Sequence, residues 1–240
     1  SVASRGLGDV YKRHLHMRLA DGENEYRKLQ RYADHRFKEL SELLDPFLRV
    51  REQYSILVST LTLVLGDIPP ADDQERAVRD LLADVFDSLH CGQRIILQGQ
   101  LDIAFPMIRR SYESLSLMVL CGLDPQYAAK WLAGAEIGNA EIRRELAKHP
   151  TGEPEATTKE LYKFFSKGAH PNRDLVAFRF LGEGNQFTLG SIGRTSLVML
   201  ADYCIQHLEM TFWFGAFLTH RYFQVVTKEV PDYGQGYLCL

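Results

Sequence analysis

Along this chain apolar side chains recur at i, i+3, i+4 and i+7, the period of amphipathic helices, except between residues 176 and 190. Residues 1–22 are polar and lean basic, with Arg5, Lys12, Arg13 and Arg18, and read as a short helix or a loose arm. A helical pattern then runs from Glu23 to about Leu65, charge-rich at first and mostly apolar from Tyr54 onward. Pro46 lies inside it and predicts a kink or a break near Asp45, because proline lacks an N–H and disfavours helical backbone before it. Gly66-Asp-Ile-Pro-Pro70 is a stop signal. Asp72 or Asp73 is expected to cap the next helix, whose Leu81, Leu82, Val85, Phe86 and Leu89 keep core spacing to about Leu97.

Gly99 and Pro106 bracket an expected turn or kink, followed by a helix carrying Ile108, Tyr112, Leu115 and Val119. Its stretch from Leu115 to Cys121 is apolar on every side, as in a bundle centre, and Gly122 fits a C-cap. Pro125 suits the first turn of a helix running to about Lys148, with Trp131, Leu132 and Ala135 on its inner side. A loop over 149–154 precedes a helix through Lys163. Ala177 to Leu181, a glycine-rich turn, and Gln186 to Leu189 alternate as a β-hairpin would. Ser191 opens a last long helix to about Val226. The expected fold is all-α: a helical bundle with a long N-terminal helix and a small β-hairpin insertion before the terminal helix. The expected organisation is an N-terminal helical region over 1–70 packing on a helical domain over 71–228, with a tail over 229–240.

Composition narrows the class without changing it. The 240 residues are 45% hydrophobic and 25% charged, enough for one sizeable core. A net charge of -3 argues against a broadly basic, sequence-indifferent nucleic-acid surface, though not against a local patch. Cys91, Cys121, Cys204 and Cys239 form no C-x-x-C pair, and buried free thiols in a reducing compartment are expected. Leu197 to Leu218 holds Asp202, Gln206, His207 and Glu209, too many polar groups for a membrane span, so a soluble, cytoplasmic protein is expected. His14-Leu-His16 would face opposite sides of a helix, and no metal or cofactor motif is found. Trp131, Phe212, Trp213, Phe214 and Phe217 read as core.

Two constellations carry candidate chemistry. On the helix ending near Pro171, Lys163, Ser166 and His170 fall within roughly 60° of each other, opposite Leu161, Phe164, Phe165 and Gly168. A histidine that exchanges protons near neutrality, beside a cation and a hydroxyl, suits phosphate chemistry. The same residues also suit an ordinary helix C-terminus, where Lys and His favour the negative end of the dipole. The second constellation is Arg109-Arg110-Ser-Tyr-Glu113, where both arginines lie within helical reach of Glu113. It reads either as a structural ion pair at the mouth of the core or as a phosphate-binding Arg oriented by Glu113.

The order of these motifs resembles the HEPN superfamily. Gly99-Gln-Leu-Asp-Ile-Ala-Phe-Pro-Met-Ile-Arg-Arg-Ser-Tyr-Glu113 is followed by Tyr127 to Gly134, by Leu161-Tyr-Lys-Phe-Phe-Ser-Lys-Gly-Ala-His-Pro171, and by a hairpin leading into a long terminal helix. The likeness, over residues 75–220, is to a bacterial branch with an R-S-x-E helix and an L-Y-x-x-x-S-x-x-x-H-P helix. It implies a helical bundle, often dimeric, and in many members a metal-independent ribonuclease of toxin–antitoxin, phage-defence or RNA-processing settings. The usual family site is an Arg followed, after four to six intervening residues, by a His, near a helix end and often at the dimer interface. Here His170 matches the His, and Lys163 stands where the Arg is expected, keeping the charge without the bidentate fork. Two readings follow. In one, an RNA endonuclease uses His170 as acid or base, Lys163 with Arg109 or Arg110 to stabilise phosphorane charge, Glu113 to orient the Arg and Ser166 to hold a phosphate oxygen. In the other, a non-catalytic module binds RNA, a nucleotide or a protein partner such as an antitoxin, or serves as a structural oligomer. A homodimer is expected, with no membrane partner.

Overall fold

The computed structural model describes residues 21–24, 26–28, 30–31, 33–150, 152, 154–169 and 197–225, with the side chains of 167–169 set aside. Every regular element among them is a helix, as an all-α chain requires. The hairpin expected over 177–189, His170, Cys239 and the tail lie outside the described residues. We name the helices α1 (helical at every described position over 21–43), α2 (Asp45–Gly66), α3 (Asp73–Leu97), α4 (Leu101–Leu123), α5 (Pro125–Leu132), α6 (Asn139–Leu146), α7 (Glu155–Ala169) and α8 (Leu197–Arg221).

Local chemistry accounts for most boundaries. Leu44 forms a turn between α1 and α2, while Leu44 N–H to the Leu40 carbonyl and Leu48 N–H to the Leu44 carbonyl, both 2.9 Å, carry the ladder past Pro46. Asp72 caps α3 by accepting the Glu75 N–H at 2.8 Å. The last turn of α2 holds no basic residue of its own. Arg79 of α3 supplies one, donating from Nη1 to the carbonyls of Leu65 (2.7 Å) and Ile68 (2.5 Å). Glu75 accepts from Arg79 (2.7 Å), Arg221 (3.2 Å) and Tyr222 (2.9 Å), tying the end of α8 to the start of α3.

Four sequence expectations need correction. The turn before α4 is made by Gly99 alone (φ 77°), in a Schellman motif with Gln100 N–H on the Ile95 carbonyl and Gly99 N–H on the Ile96 carbonyl. Pro106 lies inside α4, which runs through it. The helix expected from Pro125 to Lys148 is two helices. Gly134 (φ 72°) ends α5 by a second Schellman motif, from Ala135 to the Lys130 carbonyl and from Gly134 to the Trp131 carbonyl. Trp131 and Leu132 pack half-buried against the core as expected, beside the fully buried Tyr127 and Ala128, whereas Ala135 is exposed. Gly122 does not cap α4. It lies within the helix, where an added Cβ would meet Arg221 Nη1 at 3.3 Å and Phe217 at 3.4 Å. Cys91 is exposed, whereas Cys121 and Cys204 are buried free thiols.

α4 occupies the centre, packed against α3, α5, α6, α7 and α8, which explains its apolar character on every side. α8 closes the other flank against α2, α3 and α4. Its buried face is not purely apolar: Tyr203, Gln206, His207 and Thr211 are enclosed, together with Arg51 of α2, which is 2% exposed. His207 Nε2 donates to the Leu89 carbonyl at 2.9 Å, which fixes the tautomer, and its ring meets Phe47 edge-on with centroids 5.2 Å apart. Nε and Nη2 of Arg51 have no hydrogen-bond acceptor among the described residues. Each such enclosed donor costs about 1–3 kcal/mol.

Burial pushes the His207 imidazole down to about 3; the neighbouring Arg51 charge acts the same way, and the Leu89 carbonyl only partly opposes them. Burial also brings Arg51 down to about 10, against the pull of Tyr203. An unfolded chain takes up the His207 proton near 6.5, whereas the folded protein refuses it until about 3. In that window the unfolded state binds more protons, so stability falls as pH falls, by up to about 1.4 kcal/mol per pH unit. Urea unfolding between about pH 6 and pH 4 should show a slope in the wild type that is shallower by about one proton in His207→Gln. Equal slopes in the two proteins would mean that His207 is protonated in the native state as well.

Candidate functional site

α7 meets α4 and α6 along one side. Phe165, 2% exposed, packs on Tyr112 of α4 with ring centroids 5.3 Å apart. Leu161 and Tyr162 are half-buried beside it, while Phe164, expected on the inner face, is 46% exposed. Lys163 points outward and pairs with Glu160 at 2.6 Å, both side chains exposed. Ser166 Oγ donates back to the Tyr162 carbonyl at 2.7 Å. In the bonds the structure gives them, Lys163 and Ser166 therefore engage α7 itself, and His170 lies beyond the described residues.

The two arginines of α4 separate. Arg109 Nε pairs with Glu113 at 2.8 Å, and its Nη2 donates to the Tyr162 hydroxyl at 2.6 Å. Its side chain is 20% exposed and that of Glu113 28%, the partial desolvation expected at the mouth of the core. Burial lowers the Arg109 pKa, but the Glu113 carboxylate and Tyr162 outweigh it and leave the pKa raised. Arg110 turns toward α3, where Nη2 meets Asp84 at 2.6 Å and Nε at 3.2 Å. Ser114 adds a short hydrogen bond to the same carboxylate. Burial raises the Asp84 pKa, and the bonds from Arg110 and Ser114 more than reverse this. Arg110 thus has no part in the α4–α7 contact, and of the two arginines only Arg109 bonds to α7.

Two residues complete the arrangement: Tyr162, which the sequence placed in the L-Y motif without a role, and Arg143, which it did not single out. The guanidinium carbon of Arg109 lies 4.9 Å from the Tyr162 ring centroid, and that of Arg143 on α6 lies 4.4 Å from it. Tyr162 therefore joins three helices through one ring. Beside it a cavity of about 250 Å³ opens between α4, α6, α7 and α8, with Tyr112, Leu115, Leu161 and Trp213 in its lining. Thr158, Tyr162 and Phe165 recur at inward helical spacing, and an inward tyrosine needs a partner for its hydroxyl, which is the signal that was available. Nothing local marks Arg143 apart from Arg144. Phe212 and Trp213, read as core, are 57% and 38% exposed.

Among the described residues, no group of three or more His, Cys, Asp or Glu side chains is placed to hold a metal ion. No described helix is long and apolar enough to cross a membrane. No family model matches the chain, and no curated protein or solved structure matches it.

Replacing Tyr162 separates the hydrogen bond from the ring stacks. Tyr162→Phe should lower unfolding stability by about 1 kcal/mol. Tyr162→Leu should lower it by roughly 2–3 kcal/mol, because both cation–π contacts are lost in addition. Denaturant titration reads the difference, and equal losses would show that the stacks contribute nothing.

Proposed function

We propose that this chain is a HEPN-like protein that engages RNA at the contact of α4 and α7, and that it acts there as a metal-independent RNA endonuclease. The observation that carries this reading is the bond from Arg109 to Tyr162. It brings an arginine oriented by Glu113 onto the helix that bears Lys163 and leads to His170. The family likeness expects an Arg where Lys163 stands, and a guanidinium from α4 supplies that chemistry from the neighbouring helix. In the reaction, His170 takes the proton of a ribose 2′-OH as that oxygen attacks the adjacent phosphorus. The bond from phosphorus to the 5′-oxygen breaks, that oxygen takes a proton from solvent water, and a 2′,3′-cyclic phosphate remains. Arg109 and Lys163 face the charge that develops on the phosphorane, and Ser166 hydrogen-bonds a phosphate oxygen. Toxin–antitoxin or phage-defence activity in a reducing cytoplasm belongs to the same proposal. Burial pushes the thiols of Cys121 and Cys204 up to about 12 and 11, the state of inert structural cysteines.

One observation favours a second reading, a non-catalytic module that binds RNA, a nucleotide or a protein partner. Lys163 lacks the arginine fork and is matched by Glu160, so this position offers a neutralised cation. Incubating labelled structured and single-stranded RNAs in EDTA with wild type, Arg109→Ala and His170→Ala distinguishes the two. The nuclease reading expects cyclic-phosphate ends from wild type only, with Arg109→Ala slower by roughly 10²–10³. Saturable RNA binding without cleavage, weakened in Arg109→Ala, would establish the binding module instead. Neither cleavage nor binding would remove the nuclease and the RNA-binding module and leave a nucleotide or a protein as the partner.

The expected homodimer also belongs here. Val198, Ile205 and Phe212 stand at heptad spacing on α8 and are 78%, 58% and 57% exposed, an apolar seam of the kind that pairs helices. Light scattering should give twice the 27.4 kDa chain mass, and Phe212→Glu should return it to one. A wild-type monomer at high concentration would rule the seam out as a dimer contact.

A further inference from the structure

The cavity beside Tyr162 has a feature that the RNA reading does not use. Arg143 forms part of its wall; its Nε and Nη1 are sealed against protein, which leaves Nη2 as the guanidinium nitrogen that an incoming group can reach, with no hydrogen-bond acceptor on it among the described residues. The Tyr162 ring, its centroid 4.4 Å from the guanidinium carbon, offsets part of the positive charge but is not a hydrogen-bond acceptor for Nη2. No carboxylate pairs with Arg143 among the described residues, whereas Arg109 nearby is matched by Glu113 and Lys130 by Glu141. The rest of the lining is mostly apolar: Leu115, Val119, Leu146 and Leu161, with the rings of Tyr112 and Trp213. A volume of about 250 Å³ falls just below the usual range of ligand pockets, so the occupant is small.

We propose that this cavity binds a small amphipathic carboxylate, an aryl or short acyl acid, whose apolar body fills the space and whose anionic group accepts from Arg143. A single unmatched guanidinium fits one negative charge. A phosphate monoester, with nearly two, calls for more cations than this wall supplies. The proposal does not rest on RNA cleavage or on His170.

Trp213 lines the cavity and is one of two tryptophans, so the full chain carrying Trp131→Phe reports binding through Trp213 fluorescence alone. The probes are phenylacetate, its uncharged counterpart 2-phenylethanol, and phenyl phosphate. Phenylacetate should bind saturably. Arg143→Met, which keeps the apolar stem over Tyr162, should weaken phenylacetate by roughly tenfold or more and leave 2-phenylethanol unchanged. Ser116→Leu, which narrows the cavity, should weaken both compounds in a protein whose circular dichroism matches the parent. The proposal is overturned if phenylacetate does not saturate the signal, or if a folded Arg143→Met or Ser116→Leu binds it as tightly as the parent. Tighter binding of phenyl phosphate than of phenylacetate overturns the assignment of a carboxylate.

Discussion

Position 92 of α3 has to be empty for the bundle to close. A Cβ on Gly92 would lie 2.6 Å from the Tyr203 hydroxyl and 3.1 Å from Met107 Cβ, so α3, α4 and α8 converge where only glycine fits. Tyr203 then packs edge-on against Phe105 of α4 and tilts against His207 on its own helix. His207 holds the Leu89 carbonyl one turn before Gly92, and Arg51 brings α2 to the same level. The register of four helices is set at this one layer. α4 is thereby fixed with Met107 against Gly92 and Phe105 against α8's tyrosine, and the turns that follow carry Arg109 and Glu113 toward α7.

The two sides of the bundle treat buried polarity in opposite ways. Between α2 and α8, Arg51 and His207 are enclosed together with no carboxylate hydrogen-bonded to either among the described residues, and burial drives both away from their charged forms. Between α4 and α7, Arg109 is only partly desolvated, and a carboxylate and a phenol stabilise its charge. An arginine of the first kind adds polarity at the expense of stability. One of the second kind keeps a guanidinium oriented near the surface, which is what recognition of an anion needs.

What could be read in the sequence was local. Asp72 as a cap, the break near Asp45 and the Arg109–Glu113 pair each depend on residues within one helical turn, and each is present. The break at Gly134 was missed because Trp131 and Leu132 extend the apolar pattern up to it, and a single glycine inside such a pattern does not announce positive φ. Arg110 was not separable from Arg109 because its partner, Asp84, lies on another helix. Tyr162 and Arg143 meet only through the packing of α6 on α7, so no spacing rule unites them. Phe212 and Trp213 were read as core because composition does not say which face of a long apolar helix is covered. His170 remains a reading of the sequence, since it lies beyond the described residues.

Asp124 is at once the last cap of α4 and the first cap of α5. Its N–H reaches the Leu120 carbonyl at 2.8 Å, and its carboxylate accepts the Gln126 N–H at 2.8 Å. With no spacer between the two helices, a single added residue at this joint would swing α5 about its axis by about 100°. Tyr127 and Lys130 would leave Glu141, their shared partner on α6, and the path that delivers Arg143 to Tyr162 would be lost. The loop from Ala133 to Gly138 makes few such demands, for most of its residues are exposed and it bridges helices already anchored on either side. Length variation among relatives of this chain should therefore gather in that loop and be absent at Asp124, a pattern of insertions and deletions set by one doubly used side chain.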